Sequence, residues 1–249
     1  MTFLQKLRAG QIQIGSLVTL PSPEVAELLS LTGFDWLWID LEHGGIGLES
    51  LSRLLQAVRP PCHAIVRAPG ADPIWIKRIL DLGCEGLILP QVNTPEDAKR
   101  IVQWSKYPLE GSRSVGISRA HGYGFHFSRY LKDFNRRLAL IVQIEHVCAV
   151  DHLEAIVDVP GVSAVLVGPY DLSASVGKTG RVDDPEVVNL RRRIEAVCSD
   201  RDMPLGIFAA DAATAAGYLD AGYTFVAVGC DTLLLGTTAQ DLLRQLGRR

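Results

Sequence analysis

A regular alternation of short apolar runs with helix-like segments along all 249 residues is the strongest constraint on the fold. Eight runs have the length and composition of strands, and they are nearly continuously apolar rather than alternating. Such runs are expected where helices cover both faces of a parallel sheet. The predicted strands are Ile12–Leu20, Trp36–Leu41, His63–Val66, Gly86–Pro90, Leu138–Glu145, Ala164–Val167, Pro204–Phe208 and Phe225–Val228.

The segments between these runs carry the start signals of helices. Ser22, Asp72, Thr94 and Asp184 each stand directly before a proline, which is typical of a capped first turn. Repeated units of one strand and one helix indicate a single parallel α/β domain, here over residues 1–249. Eight units at this length predict a closed (β/α)8 barrel, a TIM barrel, rather than an open sheet.

Composition excludes several classes of function. The net charge of −3 leaves no basic surface of the kind that binds nucleic acid. No apolar stretch approaches the ~18 residues of a membrane span, and the first residues lack the apolar core of a secretory signal. The five cysteines are widely spaced without a C-x-x-C pair. We therefore expect reduced thiols and a cytoplasmic protein.

Two acidic residues at predicted strand ends indicate a metal site. Glu145 ends the fifth strand and Asp171 follows the sixth, and barrel enzymes carry their active sites at the carboxyl ends of the strands. Two carboxylates completed by water and substrate oxygens suit magnesium or manganese. Gln143 shares a strand face with Glu145. Either acid alone could instead cap a helix or form an ion pair; the two beside Gln143 favour the metal.

Two further residues are candidates for catalysis or substrate binding at the rim of the predicted barrel, the end at which the carboxyl ends of the strands meet. Arg67 ends the third strand, where its planar set of donors would suit a substrate carboxylate or enolate. A structural pair with a neighbouring acid is the alternative for Arg67. His43 lies in the glycine-rich loop after the second strand and could act as a general base. A histidine in such a loop can also be merely exposed, so both interpretations stay open.

Rival barrel chemistries find less support. A Schiff-base aldolase needs a desolvated strand lysine, and every lysine here falls in a predicted helix or loop. The turns after strands seven and eight carry one glycine, which is weak support for a phosphate site. The long segment Tyr107–Arg137 is of unassigned role: its Arg113 and Arg119 could reach an anionic ligand, or the segment could form an interface.

The ordered set of rim motifs resembles a known family. The motifs are Asp-x-Glu-His at 40–43, Val-Arg at 66–67, Gln-x-Glu at 143–145 and Gly-Pro-x-Asp-Leu-Ser at 168–173. They resemble the 4-hydroxy-2-oxoheptanedioate aldolases, which are metal-dependent (class II) pyruvate aldolases related to 2-keto-3-deoxy sugar-acid aldolases and citrate lyases. The resemblance runs from Gly15 to Leu235. It implies a barrel of the phosphoenolpyruvate/pyruvate-binding type.

The resemblance also implies a reaction and its metal. The expected activity is that of a lyase, the reversible cleavage of a 4-hydroxy-2-oxo acid to pyruvate, or a close 2-oxo acid, and an aldehyde. Glu145 and Asp171 would bind a divalent cation, Mg, Mn or Co. Arg67 would neutralise the developing enolate, and Gln143 would support the bound pyruvate.

Further roles follow from the same resemblance. Backbone groups near Gly168 and Tyr170 would line the pyruvate pocket. His43 would transfer a proton, and Asp81, which in this family can reach the site from a neighbouring subunit, would orient it. The family is typically hexameric, with an exchanged C-terminal helix, for which Asp231–Gly247 is a suitable amphipathic segment.

Two segments depart from the family pattern, and alternatives therefore remain. The loop after the second strand and the long segment before the fifth strand differ from many relatives, and both would border the aldehyde half of the site. The aldehyde is thus not transferred by the resemblance. A citramalyl or malyl thioester lyase would use the same two acids, and a barrel retained only for assembly would need no chemistry at all.

Overall fold

The computed structural model describes residues 1–248 and contains a closed barrel of eight parallel strands in sequence order. Arg249, the last residue of the predicted domain, lies outside the described residues. Both the barrel and all eight predicted strands are confirmed, with strand ends within two residues of their predicted positions. The strands are β1 Gln13–Val18, β2 Trp36–Asp40, β3 His63–Arg67, β4 Gly86–Leu89, β5 Ala139–Ile144, β6 Ala164–Val167, β7 Leu205–Ala209 and β8 Phe225–Cys230.

Helices follow the strands and cover the outside of the barrel. Four begin where the sequence predicted a capped start, with Ser22, Asp72, Thr94 and Asp184 each accepting a backbone hydrogen bond. The helices are α1 Phe3–Arg8, α2 Pro23–Leu31, α3 Leu48–Ala57, α4 Pro73–Asp81, α5 Pro95–Ser105, α6 Phe127–Arg137, α7 Val147–Asp151, α8 Leu153–Val157, α9 Pro169–Ser175, α10 Pro185–Asp200, α11 Ala212–Asp220 and α12 Asp231–Gln245.

Aromatic side chains fill the inside of the barrel toward the amino ends of the strands. Phe3 from α1 is fully buried against Trp36, with ring centroids 5.7 Å apart, and Phe225 packs on both. Trp38 stacks on Trp36 one layer closer to the carboxyl ends. Because residues two apart on a strand share a face, the next inward position on β2 is Asp40. The polar residues at the carboxyl ends of the strands therefore lie directly above a filled apolar core.

The long segment before β5 is partly helical, and no helix was predicted there from the sequence. Its last third forms α6, where Tyr130 and Phe134, four residues apart, pack on one helix face with their ring centroids 5.1 Å apart. A single 3-10 turn at Arg119–His121 precedes it. None of the helices within residues 1–248 combines the length and apolarity that crossing a membrane requires.

Candidate active site

Arg67 and Asp40 form a buried two-point ion pair at the rim. Nε of Arg67 donates to Oδ1 of Asp40 at 2.8 Å, and Nη2 donates to Oδ2 at 2.6 Å. Only 6% of Arg67 and 1% of Asp40 is exposed. The guanidinium also lies 4.7 Å from the ring centroid of Trp38. Two of the three guanidinium nitrogens of Arg67 are thus engaged in a structural pair with a neighbouring acid, which was the alternative to a substrate-binding role.

The third nitrogen of Arg67 faces the rest of the rim. Nη1 lies 3.5 Å from Oε1 of Gln143, on β5, and 3.1 Å from Oε2 of Glu42, in the loop after β2. The strand ends thus bring Arg67 and Gln143 together, as predicted from their positions. A further anion that binds Arg67 would meet Nη1, since Asp40 takes Nε and one of the two N–H groups of Nη2.

Glu145 lies beside Gln143 and accepts a hydrogen bond on each of its oxygens. The backbone N–H of Gln91 donates to Oε1 at 2.7 Å, and Nε2 of Gln143 donates to Oε2. Burial raises the pKa of the Glu145 carboxyl, and the nearby charge of Asp171 raises it further against the lowering effect of these hydrogen bonds. Glu145 and Asp171 are therefore close enough to influence each other electrostatically.

Gly168 allows the backbone after β6 to approach Glu145. A Cβ at this position would lie 2.8 Å from Cβ of Glu145, 3.0 Å from its Oε2 and 3.3 Å from Nε2 of Gln143. Any larger residue would displace the carboxylate. Pro169 then starts α9, which places Tyr170 and Asp171 in its exposed first turn.

The donor set at this position fits a hard divalent cation. Glu145 and Asp171 are like charges that act on each other, and a cation would stabilise both. Among residues 1–248 no group of three or more His, Cys, Asp or Glu side chains is placed to hold a metal. The chain would thus supply two carboxylates, and water and substrate oxygens the remaining ligands, as magnesium and manganese prefer.

His43 is exposed at the same rim. Its Nε2 lies 3.8 Å from Oε2 of Glu42, the residue before it in the chain. The role of His43 in proton transfer stays a prediction.

Asp81 does not join these residues within one chain. It is the last residue of α4, which runs from the carboxyl end of β3 back toward the amino ends of the strands. Its Oδ1 accepts a 2.5 Å hydrogen bond from Arg113. An orienting role toward His43 would have to come from another copy of the chain, and it remains a prediction.

The two arginines of the long segment are engaged in anchoring it. Arg113 is buried between the rings of Tyr107 and Phe134, at 4.6 and 4.5 Å, and pairs with Asp81. Arg119 donates to the carbonyls of Leu82 and Leu55. These contacts favour the interface alternative over anion binding. Large apolar side chains of the segment are exposed: Leu109, Val115, Ile117, Tyr123 and Phe125.

Three polar residues at predicted strand ends, Asp40, Glu42 and Gln91, were given no role from the sequence. Asp40 and Glu42 stand in the same motif as His43, so their spacing on the strand end was the available signal. Gln91 gave no such signal, because its contribution is a backbone N–H aimed at Glu145 from a left-handed conformation with φ of 56°. Side-chain chemistry does not reveal that kind of contact.

Comparison with known proteins identifies the family. The family model described as HpcH/HpaI aldolase/citrate lyase matches residues 13–237. A 4-hydroxy-2-oxovalerate aldolase of Novosphingobium aromaticivorans is 39% identical and covers 100% of this chain and 95% of that protein. A 5-keto-4-deoxy-D-glucarate aldolase of Salmonella paratyphi A is also 39% identical, over 96% of this chain and 94% of that protein.

Solved structures agree with the sequence relatives. A HpcH/HpaI aldolase/citrate lyase family protein from Burkholderia cenocepacia superimposes with a TM-score of 0.95 at 34% identity, covering 98% of both chains. A HpcH/HpaI aldolase from Desulfitobacterium hafniense gives 0.90 at 28% identity, over 99% of this chain and 96% of that one. This chain belongs to the HpcH/HpaI aldolase/citrate lyase family and is a carbon–carbon lyase of the aldolase type.

Proposed function

We propose that this member of the family cleaves a 4-hydroxy-2-oxo acid reversibly to pyruvate and an aldehyde, with a divalent cation held by Glu145 and Asp171. The observation that carries the proposal is that Gln143 links Glu145 to Arg67 by hydrogen bonds, while the charge of Asp171 acts on Glu145. A cation site next to a buried arginine is suited to a small, doubly oxygenated anion such as a 2-oxo acid.

The rim residues divide the work of binding and charge stabilisation. Glu145 and Asp171 would hold the cation, which would supply Lewis-acid chemistry to a bound 2-oxo acid. Gln143 forms hydrogen bonds with both Glu145 and Arg67 and so sets the distance between this carboxylate and the guanidinium. Arg67 offers Nη1 to the negative charge that develops on the keto oxygen as the C3–C4 bond breaks. Preorganised donors of this kind usually provide the largest single contribution to catalysis.

His43 handles the second requirement of the cleavage, a proton. The C3–C4 bond breaks as the 4-hydroxyl loses its proton and becomes the aldehyde, and His43 accepts that proton. In the synthetic direction His43 returns it to the new alkoxide. Asp81 of a neighbouring subunit orients the imidazole in this proposal. The backbone at Gly168 and Tyr170 lines the pocket beside Glu145.

The proposal includes self-association through helix α12. Of its residues only Asp231 is buried in the described chain, where it accepts hydrogen bonds from the backbone N–H groups of Thr19 and Leu20. The rest of the helix exposes a series of leucines, and such a surface marks an interface. We assign it to a second copy of this chain, in a hexamer with exchanged α12 helices. The exposed leucines are Leu233, Leu234, Leu235, Leu242 and Leu243 of the helix and Leu246 at its C-cap.

The catalytic part is tested by metal readdition. Protein stripped with a chelator is supplied with magnesium, manganese or cobalt, and pyruvate release from 4-hydroxy-2-oxopentanoate is followed with a coupled lactate dehydrogenase assay. Glu145→Gln and Asp171→Asn should abolish the metal-dependent rate, whereas Glu49→Gln, at an exposed helical acid, should not. Cleavage by either rim variant at the wild-type rate after magnesium readdition would show that the metal assignment is wrong.

Two further measurements address the partners. Incubating pyruvate with a panel of aldehydes and each metal, with adduct formation as the readout, identifies the aldehyde. Light scattering coupled to gel filtration measures the assembly. Replacing Leu235 and Leu242 by glutamate should dissociate it into smaller species, and an unchanged mass would contradict the proposed role of α12.

A further inference from the structure

Glu42 is a rim carboxylate without a part in the proposed reaction. Its backbone N–H donates to Oδ1 of Asp40 at 3.0 Å, which turns the chain back just beyond β2. The side chain is 16% exposed, and its buried Oε2 accepts no hydrogen bond from residues 1–248. A buried acceptor left without a hydrogen bond is energetically unfavourable. The fold therefore tolerates an unfavourable position here.

The unbonded oxygen lies between the two groups on which the proposed reaction depends. Oε2 of Glu42 is 3.1 Å from Nη1 of Arg67 and 3.8 Å from Nε2 of His43. Within residues 1–248, Glu42 is the acid that lies within ion-pair distance of both. It thus connects the group that meets the enolate charge with the group that moves the hydroxyl proton.

Neutralising Arg67 does not explain the presence of Glu42. Asp40 already pairs with the guanidinium through two aligned hydrogen bonds, whereas the contact from Glu42 is an ion pair without hydrogen-bond geometry. Burial raises the pKa of Glu42, with Arg67 acting against this effect and the negative charge of Glu145 adding to it. A second carboxylate on one guanidinium is therefore redundant for stability.

The His43 side chain, unlike that of Arg67, has few other contacts that fix its orientation. The ring is exposed, two glycines follow it, and it makes no side-chain hydrogen bond within the described part of the chain. A general base acts when its ring nitrogen lies within hydrogen-bond reach of the proton. Misplacement by about 1 Å can cost on the order of a hundredfold in rate. A fixed carboxylate beside Nε2 limits the orientations of the ring.

We infer that Glu42 is a positioning residue that holds the Arg67 guanidinium and the His43 imidazole on either side of one carboxylate oxygen, so that both face the same reacting substrate. The inference rests on the proposed function, because it uses the roles given there to Arg67 and His43. It assigns to Glu42 an effect on turnover rather than on substrate affinity.

The test compares three substitutions on the metal-loaded, full-length protein. Glu42→Gln keeps the shape and removes the charge, Glu42→Ala leaves space for a small anion, and Glu42→Asp keeps the charge. Steady-state cleavage of 4-hydroxy-2-oxopentanoate gives kcat and KM, and thermal unfolding monitors the fold. Glu49→Gln is the matched control, because that acid is exposed and pairs only within its own helix turn among the described residues.

We expect Glu42→Gln to lower kcat by about tenfold to a hundredfold with KM within about threefold, and without a lower melting temperature. Formate should restore part of kcat to Glu42→Ala but not to Glu42→Gln, and Glu42→Asp should retain part of it.

A wild-type kcat in Glu42→Gln overturns the inference. A loss of kcat that accompanies unfolding in every variant, without rescue by formate, also overturns it. If the wild type itself shows no metal-dependent pyruvate release, the proposed function fails together with the inference. An active wild type with an unaffected Glu42→Gln removes the inference alone.

Discussion

The backbone N–H of Gln91 donates to Oε1 of Glu145 at 2.7 Å from a left-handed conformation, with φ of 56°. Non-glycine residues adopt this conformation at a cost, and such strain is concentrated at functional sites. We expect Gln91→Gly to keep the hydrogen bond and the metal affinity. Gln91→Pro, which has no N–H and a fixed negative φ, should weaken manganese binding by tenfold or more in a calorimetric titration. Equal affinities in the two variants would contradict a role for this N–H.

Gly168 gives a second prediction about the same carboxylate. In Gly168→Ala the new methyl group meets Cβ of Glu145 at 2.8 Å before relaxation. Overpacking of this kind costs about 1–3 kcal/mol of unfolding free energy, and the displaced carboxylate should bind manganese more weakly. Chemical denaturation and metal titration measure the two effects. Gly217→Ala is the control, because nothing lies within 4 Å of its new Cβ in α11 and the change should stabilise the helix.

Arg67→Lys separates charge from geometry. Lysine keeps the positive charge but cannot form both hydrogen bonds to the buried Asp40. We expect a loss of about 2 kcal/mol in unfolding free energy and of about a hundredfold in kcat. Arg53→Lys changes an exposed pair with Glu49 and should cost less than about 0.5 kcal/mol. Similar stability losses in the two variants would argue against the importance of the buried pair.

The raised pKa of Glu42 predicts a pH dependence of stability in metal-free protein. A carboxyl whose pKa is higher in the folded than in the unfolded chain binds its proton more tightly when folded. Ionisation of Glu42 therefore lowers the free energy of unfolding. This effect is absent when the pH lies below the ordinary pKa of 4.5 and complete when the pH lies above the raised pKa of the folded chain. Glu42→Gln cannot ionise, so its stability relative to the wild type should rise with pH through this window. Urea unfolding from pH 4 to 8 measures the difference; a difference that falls with pH would contradict the direction of the shift.

The sequence was sufficient for the barrel because its parallel strands are buried on both faces. Burial on both sides leaves uninterrupted apolar runs such as the one before Gln143, and these are visible without a structure. The converging rim followed from the same reasoning, since the carboxyl ends of parallel strands share one end of the barrel. Arg67, Gln143 and Glu145 were placed together on that basis.

What the sequence could not give depends on contacts between distant segments. The pairing of Asp81 with Arg113 joins α4 to the segment before β5, and no local pattern encodes it. Burial of Arg113 between Tyr107 and Phe134 is equally non-local. The orientation of Glu42 toward Arg67 depends on a turn of two residues whose geometry its composition does not specify. Each is decided by tertiary packing rather than by periodicity.

The two stacked tryptophans inside the barrel allow ligand binding at the rim to be followed by fluorescence. Trp36 stacks on Trp38, and the guanidinium of Arg67 lies 4.7 Å above Trp38. Indole emission is sensitive to a charge at this distance, so any ligand that draws Arg67 away from Trp38 should alter the intrinsic fluorescence. Occupancy of the rim can then be followed in the unlabelled protein and on the timescale of mixing, before any bond is broken.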